Sequence, residues 1–291
     1  MRKVVTAALL TAALLISGGQ SWGSAAGSLS NPVGLGAYKT LIGSAVNPVI
    51  EAADYNFGKG LTAKVARINL QLSTLQLHPG SQVPGDLKLW GSNNYITSKA
   101  RGGVVAAFNS GFKLKDSLGG FYANGYTAGK ITAGLASLII YKDGHVEIKV
   151  WPKDGVITPD IISIRQNIKP LMINGVFAKN INVNLYYDWG GTVSSVYTVW
   201  RSGVAVDGFG NLIYAVGNNL SPLNLVTALK AAGGVNAMEL DINGGWVNFY
   251  YYTVSKVSGA LVPHKLTNFW SPSNLYSKGW IRDFFTVSVR G

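Results

Sequence analysis

Short runs of Val, Ile, Leu and Tyr, cut at close intervals by Asp-Gly turns, constrain the fold of this 291-residue chain more than any other feature. From Leu61 onward the runs are separated by signals such as Asp143-Gly144, Asp154-Gly155 and Asp207-Gly208, the residues that turn hairpins. Residues 136–141 and 145–151 around Asp143-Gly144 read as one hairpin, and 204–206 with 212–216 around the 207–210 turn as a second. One segment breaks this rhythm. Ser221 can cap a helix, Pro222 suits its first position, residues 223–232 favour helix, and Gly233-Gly234 ends it. No period of about 20 to 50 residues repeats, which excludes a propeller or solenoid. The expected fold class is α+β: a β-rich mixed sheet with a few helices in one domain spanning 61–291.

Compartment is read from the N-terminus. Arg2 and Lys3 precede an apolar run from Val4 to Ile16, followed by small residues up to Gly27, so residues 1–26 read as a signal peptide. The mature protein is then secreted or extracellular, with no stable membrane span once the signal is removed. Residues 27–60 are rich in Gly, Ala, Asn, Pro and Ser and read as a lead-in segment with a short helix around 48–54. The chain contains no cysteine, which excludes a disulfide framework and a thiolate nucleophile. Its three His, at 78, 145 and 264, have no metal-ligand spacing, so neither metal nor cofactor is expected. Hydrophobic residues make up 47%, enough for a large core and too many for a disordered chain. Lys+Arg number 25 against 13 Asp+Glu, a net charge of +12. These cations are scattered singly, which argues against nucleic acid and, in an exported chain, for attraction to an anionic cell-wall polymer.

With so few acids, each can be weighed. Asp86, Asp143, Asp154 and Asp207 adjoin glycines and cap turns. Asp188, Asp283 and the pair Glu239 and Asp241 in Ala-Met-Glu-Leu-Asp-Ile-Asn-Gly-Gly-Trp remain. Residues 237–242 read as a strand opening into a Gly-Gly loop. Alternation would then put the two carboxylates on one face about 6.6 Å apart, with Met238, Leu240 and Ile242 on the other. Such a pair repels and drives one pKa up, as acid-base chemistry requires; an ion pair with Arg or Lys is the structural alternative.

Three polar patches accompany the pair. Residues 104–108 form an apolar strand running into Asn109-Ser110-Gly111, which presents an amide, a hydroxyl and backbone N–H groups to an oxyanion or a sugar, or simply makes a turn. Arg201-Ser202-Gly203 offers a guanidinium to a phosphate or carboxylate, or else to Glu239 or Asp241. Arg165-Gln166, followed by Asn167, is a weaker donor cluster of the same kind. A serine nucleophile elbow, a phosphate loop and a dinucleotide fingerprint are all absent from the sequence.

The stretches VAAFNSGFK (105–113), GGFYANG (119–125), ISIRQN (162–167), VWRSGVAVDGFGNLIYAVG (199–217), AMELDINGGW (237–246) and RDFFTVSV (282–289) resemble, in order, the phosphodiester glycosidase family, relatives of the lysosomal uncovering enzyme. The likeness to secreted bacterial members runs from about Val65 to the C-terminus. It implies a single α+β catalytic domain hydrolysing a sugar-1-phosphodiester in an envelope or extracellular glycan. It also implies Asp241 and Glu239 as carboxylates, Arg201 on the phosphate, and Asn109 with Gln166 and Asn243 on sugar hydroxyls or phosphate oxygens. Ser110, Gly111, Arg165 and Ser202 fall in the matched turns, and Trp246 or Trp200 offers a face for a sugar ring. The chain departs from the family where many members carry Asn-Leu-Asp-Gly-Gly-Gly-Ser and it carries Glu239-Leu240-Asp241-Ile242-Asn243-Gly244-Gly245, which implies altered substrate choice or a different division of acid and base work. The alternative is a non-catalytic protein on the same fold that binds envelope polysaccharide or teichoic acid through aromatic residues and positive charge.

Overall fold

The structure, a computed structural model, describes residues 34–97, 103–192 and 195–291. The expected signal peptide lies outside the described residues. Three sheets carry the fold. The largest has eight strands in the order Lys39–Gly43, Pro48–Gly58, Leu61–Ile68, Leu212–Leu220, Val199–Asp207, Gly234–Ile242, Pro170–Ile173 and Val176–Phe177. A five-stranded sheet follows the order Tyr126–Ala128, Phe121–Ala123, Ile161–Gln166, Ala136–Tyr141 and Val146–Val150. The other five-stranded sheet runs Leu261–Lys265, Phe249–Val254, Val104–Asn109, Phe284–Val289 and Ser73–His78.

Every pairing between these strands is antiparallel. The expected mixed sheet is therefore corrected, and the β-rich part of the expectation stands. Connectivity accounts for seven of the fifteen pairings, which join strands consecutive in the chain by short turns, whereas a parallel pair needs a long crossover. Both expected hairpins form, as Ala136–Tyr141 with Val146–Val150 and Val199–Asp207 with Leu212–Leu220.

Two-residue alternation divides the large sheet into two chemical faces. Val204, Tyr214, Met238 and Leu240 join Phe108, Phe249, Phe285 and Leu138 from the smaller sheets in the main core. The Phe108 ring lies 5.3 to 5.5 Å from those of Tyr214, Phe249 and Phe285. On the opposite face Ala205, Ala215 and Ala237 lie under Leu225, Val226 and Leu229 of the helix Pro222–Ala231. Small sheet residues let that helix approach closely: a Cβ at Gly203 would come within 3.0 Å of Leu225. The helix begins as expected, with a reciprocal capping box between Ser221 and Asn224 and Pro222 in the first turn. The helices 114–117 and 186–189 are single turns, and among the described residues no helix is long and apolar enough to cross a membrane.

One expected element is overturned. The short helix around 48–54 is instead part of the eleven-residue strand Pro48–Gly58. Val49, Ile50, Ala53 and Tyr55 are buried, and Ile50 faces Ile42 and Ile68 across the sheet. Alternating burial won over the residues' weak helical leaning, because a strand here continues the sheet and a helix would leave its edge open. Residues 39–58 are thus integral to the large sheet, not a lead-in to it. Replacing the fully buried Ile50 by Ala is expected to destabilise the protein by about 3 kcal/mol, read as a lowered urea midpoint. An unchanged midpoint would mean that this strand carries no core packing.

Candidate active site around Asp241 and Arg282

The register of Gly234–Ile242 against Val199–Asp207 decides where the two candidate acids go. Glu239 faces Gly203 but Ile242 faces Arg201, so a step of two residues on one strand spans three on its neighbour. That extra residue is a β-bulge, which interrupts alternation and re-aims the side chains beyond it. Glu239 and Asp241 consequently part company, and the side-by-side pair expected from simple alternation does not form.

Glu239 turns to Arg201, whose Nη1 donates to its Oε1 at 2.6 Å. Arg201 also donates from Nε to the Leu220 carbonyl at 3.0 Å, from Nη1 to that of Trp189 at 2.9 Å and from Nη2 to that of Tyr197 at 3.0 Å. Both side chains are shut away from solvent, and neither Arg201, expected on a phosphate, nor Glu239, expected as one of the carboxylate pair, lines the cavity around Asp241. Burial pushes the Glu239 carboxyl up to about 7, against the lowering effect of Arg201 and with a smaller push from the Asp241 charge.

Asp241 turns to Arg282, the first residue of RDFFTVSV and the neighbour of the candidate acid Asp283. Arg282 Nη2 donates to Asp241 Oδ2 at 2.7 Å and to the Gly111 carbonyl at 2.9 Å. The guanidinium lies 5.0 Å from the Trp246 ring centre, within cation–π range. Asp241 Oδ1 accepts the Ile242 N–H at 2.9 Å. Burial pushes the Asp241 carboxyl up to about 6, with the Arg282 charge the main opposing influence. Asp283 faces the other way and accepts Arg165 Nε at 2.5 Å, fully buried. The dipeptide Arg282-Asp283 therefore places two ion pairs of opposite polarity side by side. Its backbone approach requires Gly80, where a Cβ would lie 2.3 Å from Arg282.

The expected polar patches frame this pair without reaching into the cavity. Asn109 Oδ1 accepts from the Tyr214 hydroxyl at 2.9 Å and the Asn248 N–H at 3.0 Å, and its Nδ2 donates to the Ser110 carbonyl and Ser202 Oγ, both at 2.9 Å. Ser202 Oγ donates to the Asp241 carbonyl at 2.8 Å, and the Asp241 N–H donates to the Ser110 carbonyl at 3.0 Å. These residues pin the Asp241 backbone; Asn109 and Ser202 have no hydrogen-bonding capacity aimed at a ligand. Gln166 is similarly committed, accepting from Gly120 and Thr132 and donating to Thr132 and Ser137. Arg165 donates to Asp283 and to the carbonyls of Gln166 and Phe112. Asn109, Ser202, Gln166 and Arg165, expected on a substrate, are thus bonded to protein groups in this structure, as buried amides and guanidinium groups are, and none of them lines the cavity.

Asp241, Arg282, Asn243 and Trp246 line a cavity of about 370 Å³, with Lys113 and Lys169 among the other groups around it. The exposed Tyr186 and Tyr187 stand at the same cavity. Trp200, the other expected stacking residue, is not on this wall; it packs against Phe269. Among the described residues five buried side-chain polar atoms lack a partner, and three of them, Ser110 Oγ, Glu239 Oε2 and Arg282 Nε, belong to this cluster. Unsatisfied buried polar atoms are costly and concentrate where a protein acts on a ligand. No group of three His, Asp or Glu side chains converges as a metal site would require, among the described residues.

The chain matches no family model and no curated protein. Its fold is similar to solved ones. The catalytic domain of zebrafish N-acetylglucosamine-1-phosphodiester alpha-N-acetylglucosaminidase, described as auto-inhibited by its pro-peptide, superposes with a TM-score of 0.54 at 18% identity, covering 87% of this chain and 88% of that one. A hypothetical protein from Synechocystis matches at a TM-score of 0.45 and 15% identity, covering 83% of this chain and 62% of that one. A putative exported protein from Burkholderia pseudomallei matches at 0.32 and 10%, covering 81% and 74%. The first of these establishes a shared fold.

The raised Glu239 pKa has a consequence for stability. In the unfolded chain this carboxyl releases its proton near 4.5, and in the folded protein near 7, so the folded state binds more protons in between. Its contribution is present in full below the unfolded value and is lost as pH rises towards 7, by about 3 kcal/mol. Urea titrations from pH 4.5 to 7 should show this decline in the wild type and a shallower one in Glu239→Gln. Identical slopes would place the proton elsewhere.

Proposed function

We propose that this chain is an exported hydrolase that cleaves the bond between a sugar anomeric carbon and a phosphodiester in an extracellular or cell-wall glycan. The observation that carries the reading is the buried Asp241–Arg282 pair on the wall of a cavity that also presents Trp246 and lysines. The shared fold with a phosphodiester glycosidase domain supports it.

The chemistry follows from the leaving group. Breaking the anomeric C–O bond of a sugar-1-phosphodiester releases a phosphate monoester, already a stable anion, so charge stabilisation matters more than proton donation. Arg282, with an unpartnered Nε, and Lys113 on the same cavity supply positive charge to the phosphate. Asp241, once ionised, attacks the anomeric carbon or takes the proton of the attacking water, and water ends on the sugar as its new hydroxyl. Trp246 gives the ring an apolar face. Glu239 stands at one remove: the Asp241 charge raises its pKa a little, and its carboxylate is held by Arg201.

Hydrolysis of an α-sugar-1-phosphodiester by the purified mature protein tests this reading. Asp241→Asn should lower kcat by about 100-fold or more and Arg282→Gln by a comparable factor, whereas equal rates in all three proteins would remove the mechanism. Because Asp241 must be ionised, kcat/KM should rise through pH 6, the value to which burial lifts its carboxyl. Arg282 holds that value down, so the residual activity of Arg282→Gln should have its acid limb at higher pH. An acid limb that stays put, or moves down, would separate Asp241 from the reacting proton.

A further inference from the structure

A second bulge lies beside the first. Val199 faces Leu220 but Arg201 faces Gly217, so Trp200 stands opposite two residues, Asn218 and Asn219. Asn219 adopts a left-handed backbone with φ of 57°, which asparagine accepts more readily than other non-glycine residues and which turns its side chain out at the bulge. Both asparagines are exposed. Together with Trp200, Thr267, Lys59 and Lys64 they line a cavity of about 330 Å³, within the size range of small-ligand sites.

The cavity's chemistry is that of an anionic carbohydrate. An indole face, two amides and a threonine hydroxyl suit a sugar ring and its hydroxyls. Lys59 has no ion pair among the described residues, and Lys64 is bridged only to the exposed Asp54, at 2.6 Å, a contact that screens little of its charge. A smaller adjoining cavity shares Lys64 and adds Lys39 and Lys265, so four lysines meet a single aspartate. This cavity and that of Asp241 are tied by one loop: the Trp200 carbonyl accepts the Asn243 N–H at 2.8 Å. Over the same loop lies Trp270, 73% exposed, with its indole where a Cβ on Gly244 would come within 2.8 Å.

We propose that the Trp200 cavity is a second binding subsite, which holds a sugar unit of a phosphate-bearing glycan at a distance from the bond cleaved at Asp241. The phosphates of that chain lie along Lys59, Lys64, Lys39 and Lys265. The site thereby selects polymers over short glycosyl phosphates. The choice of a sugar phosphate as ligand rests on the function proposed above; the existence of a glycan subsite does not.

Calorimetric titration of the full-length mature protein carrying Asp241→Asn, which prevents turnover, tests the subsite. The probe is a synthetic sugar-substituted glycerol phosphate decamer, with dextran as the neutral control and inorganic polyphosphate as the sugar-free one. The decamer should bind tighter than either control. Adding Trp200→Ala or Asn219→Gly should weaken it at least tenfold; the glycine accepts the left-handed backbone and keeps the fold intact if the tryptophan change does not. Lys59→Gln with Lys64→Gln should flatten the salt dependence of binding. Absence of decamer binding, or affinity unchanged by Asn219→Gly, would overturn the proposal, and polyphosphate binding as tightly as the decamer would overturn its carbohydrate part. If the protein with Asp241 intact binds the decamer but hydrolyses no sugar-1-phosphodiester, the proposed function alone is overturned.

Discussion

Asp241 sits where a carboxylate is costly, and Arg282 at 2.7 Å is the main reason it can carry charge there at all. An isolated buried carboxylate would take up a proton. Paired with Arg282 it stays poised near pH 6, close enough to neutrality to act as base or nucleophile and buried enough for its charge to be felt. Everything around the pair serves to hold these two groups in register. Gly80 admits the Arg282 backbone, Gly111 gives its carbonyl to the guanidinium, and Ser110 and Ser202 grip the backbone of Asp241.

The same logic is repeated twice nearby. Arg201 with Glu239 and Arg165 with Asp283 are also fully buried, and each arginine is surrounded by backbone carbonyls. Buried ion pairs rarely add net stability, but losing one partner leaves a stranded charge and costs several kcal/mol. A protein without disulfides accepts that risk where its sheets meet: Arg282 with Asp241 and Asp283 with Arg165 tie the lead into Phe284–Val289 to the other two sheets, while Arg201 with Glu239 joins neighbouring strands of the large one. The result is a frame of buried ion pairs behind the cavity wall.

Much of the architecture was legible because it is local. Hairpin turns, the capped helix at Ser221 and the strand ending at Ile242 follow from neighbouring residues and period. The strand Pro48–Gly58 was not, although its partners Lys39–Gly43 and Leu61–Ile68 are its neighbours in the chain: its central Glu51-Ala52-Ala53-Asp54 has little strand propensity, and pairing on both edges makes it a strand. The antiparallel order of the sheets was non-local. At the site, Asp241, Asn243 and Trp246 were found from sequence and do line the cavity. Asn109, Ser202, Gln166 and Arg165 were found too, and their hydrogen bonds go to protein groups behind the cavity. A polar cluster at a strand end looks the same in sequence whether its hydrogen bonds go to a ligand or to the protein. Arg282 escaped notice because a lone Arg before an apolar strand carries no local signal of the carboxylate it will meet, 41 residues away along the chain.

The scarcity of acids, the β rhythm and the placement of Asp241 at the mouth of a glycine loop belong to the sequence by itself, because they depend on composition and on near neighbours. Which arginine meets which acid was decided only in three dimensions. One extra residue in the register between Glu239 and Ile242 flips the alternation, and that flip sends Glu239 to Arg201 and leaves Asp241 for Arg282. A bulge is a property of two strands together, so neither strand's sequence could announce it alone.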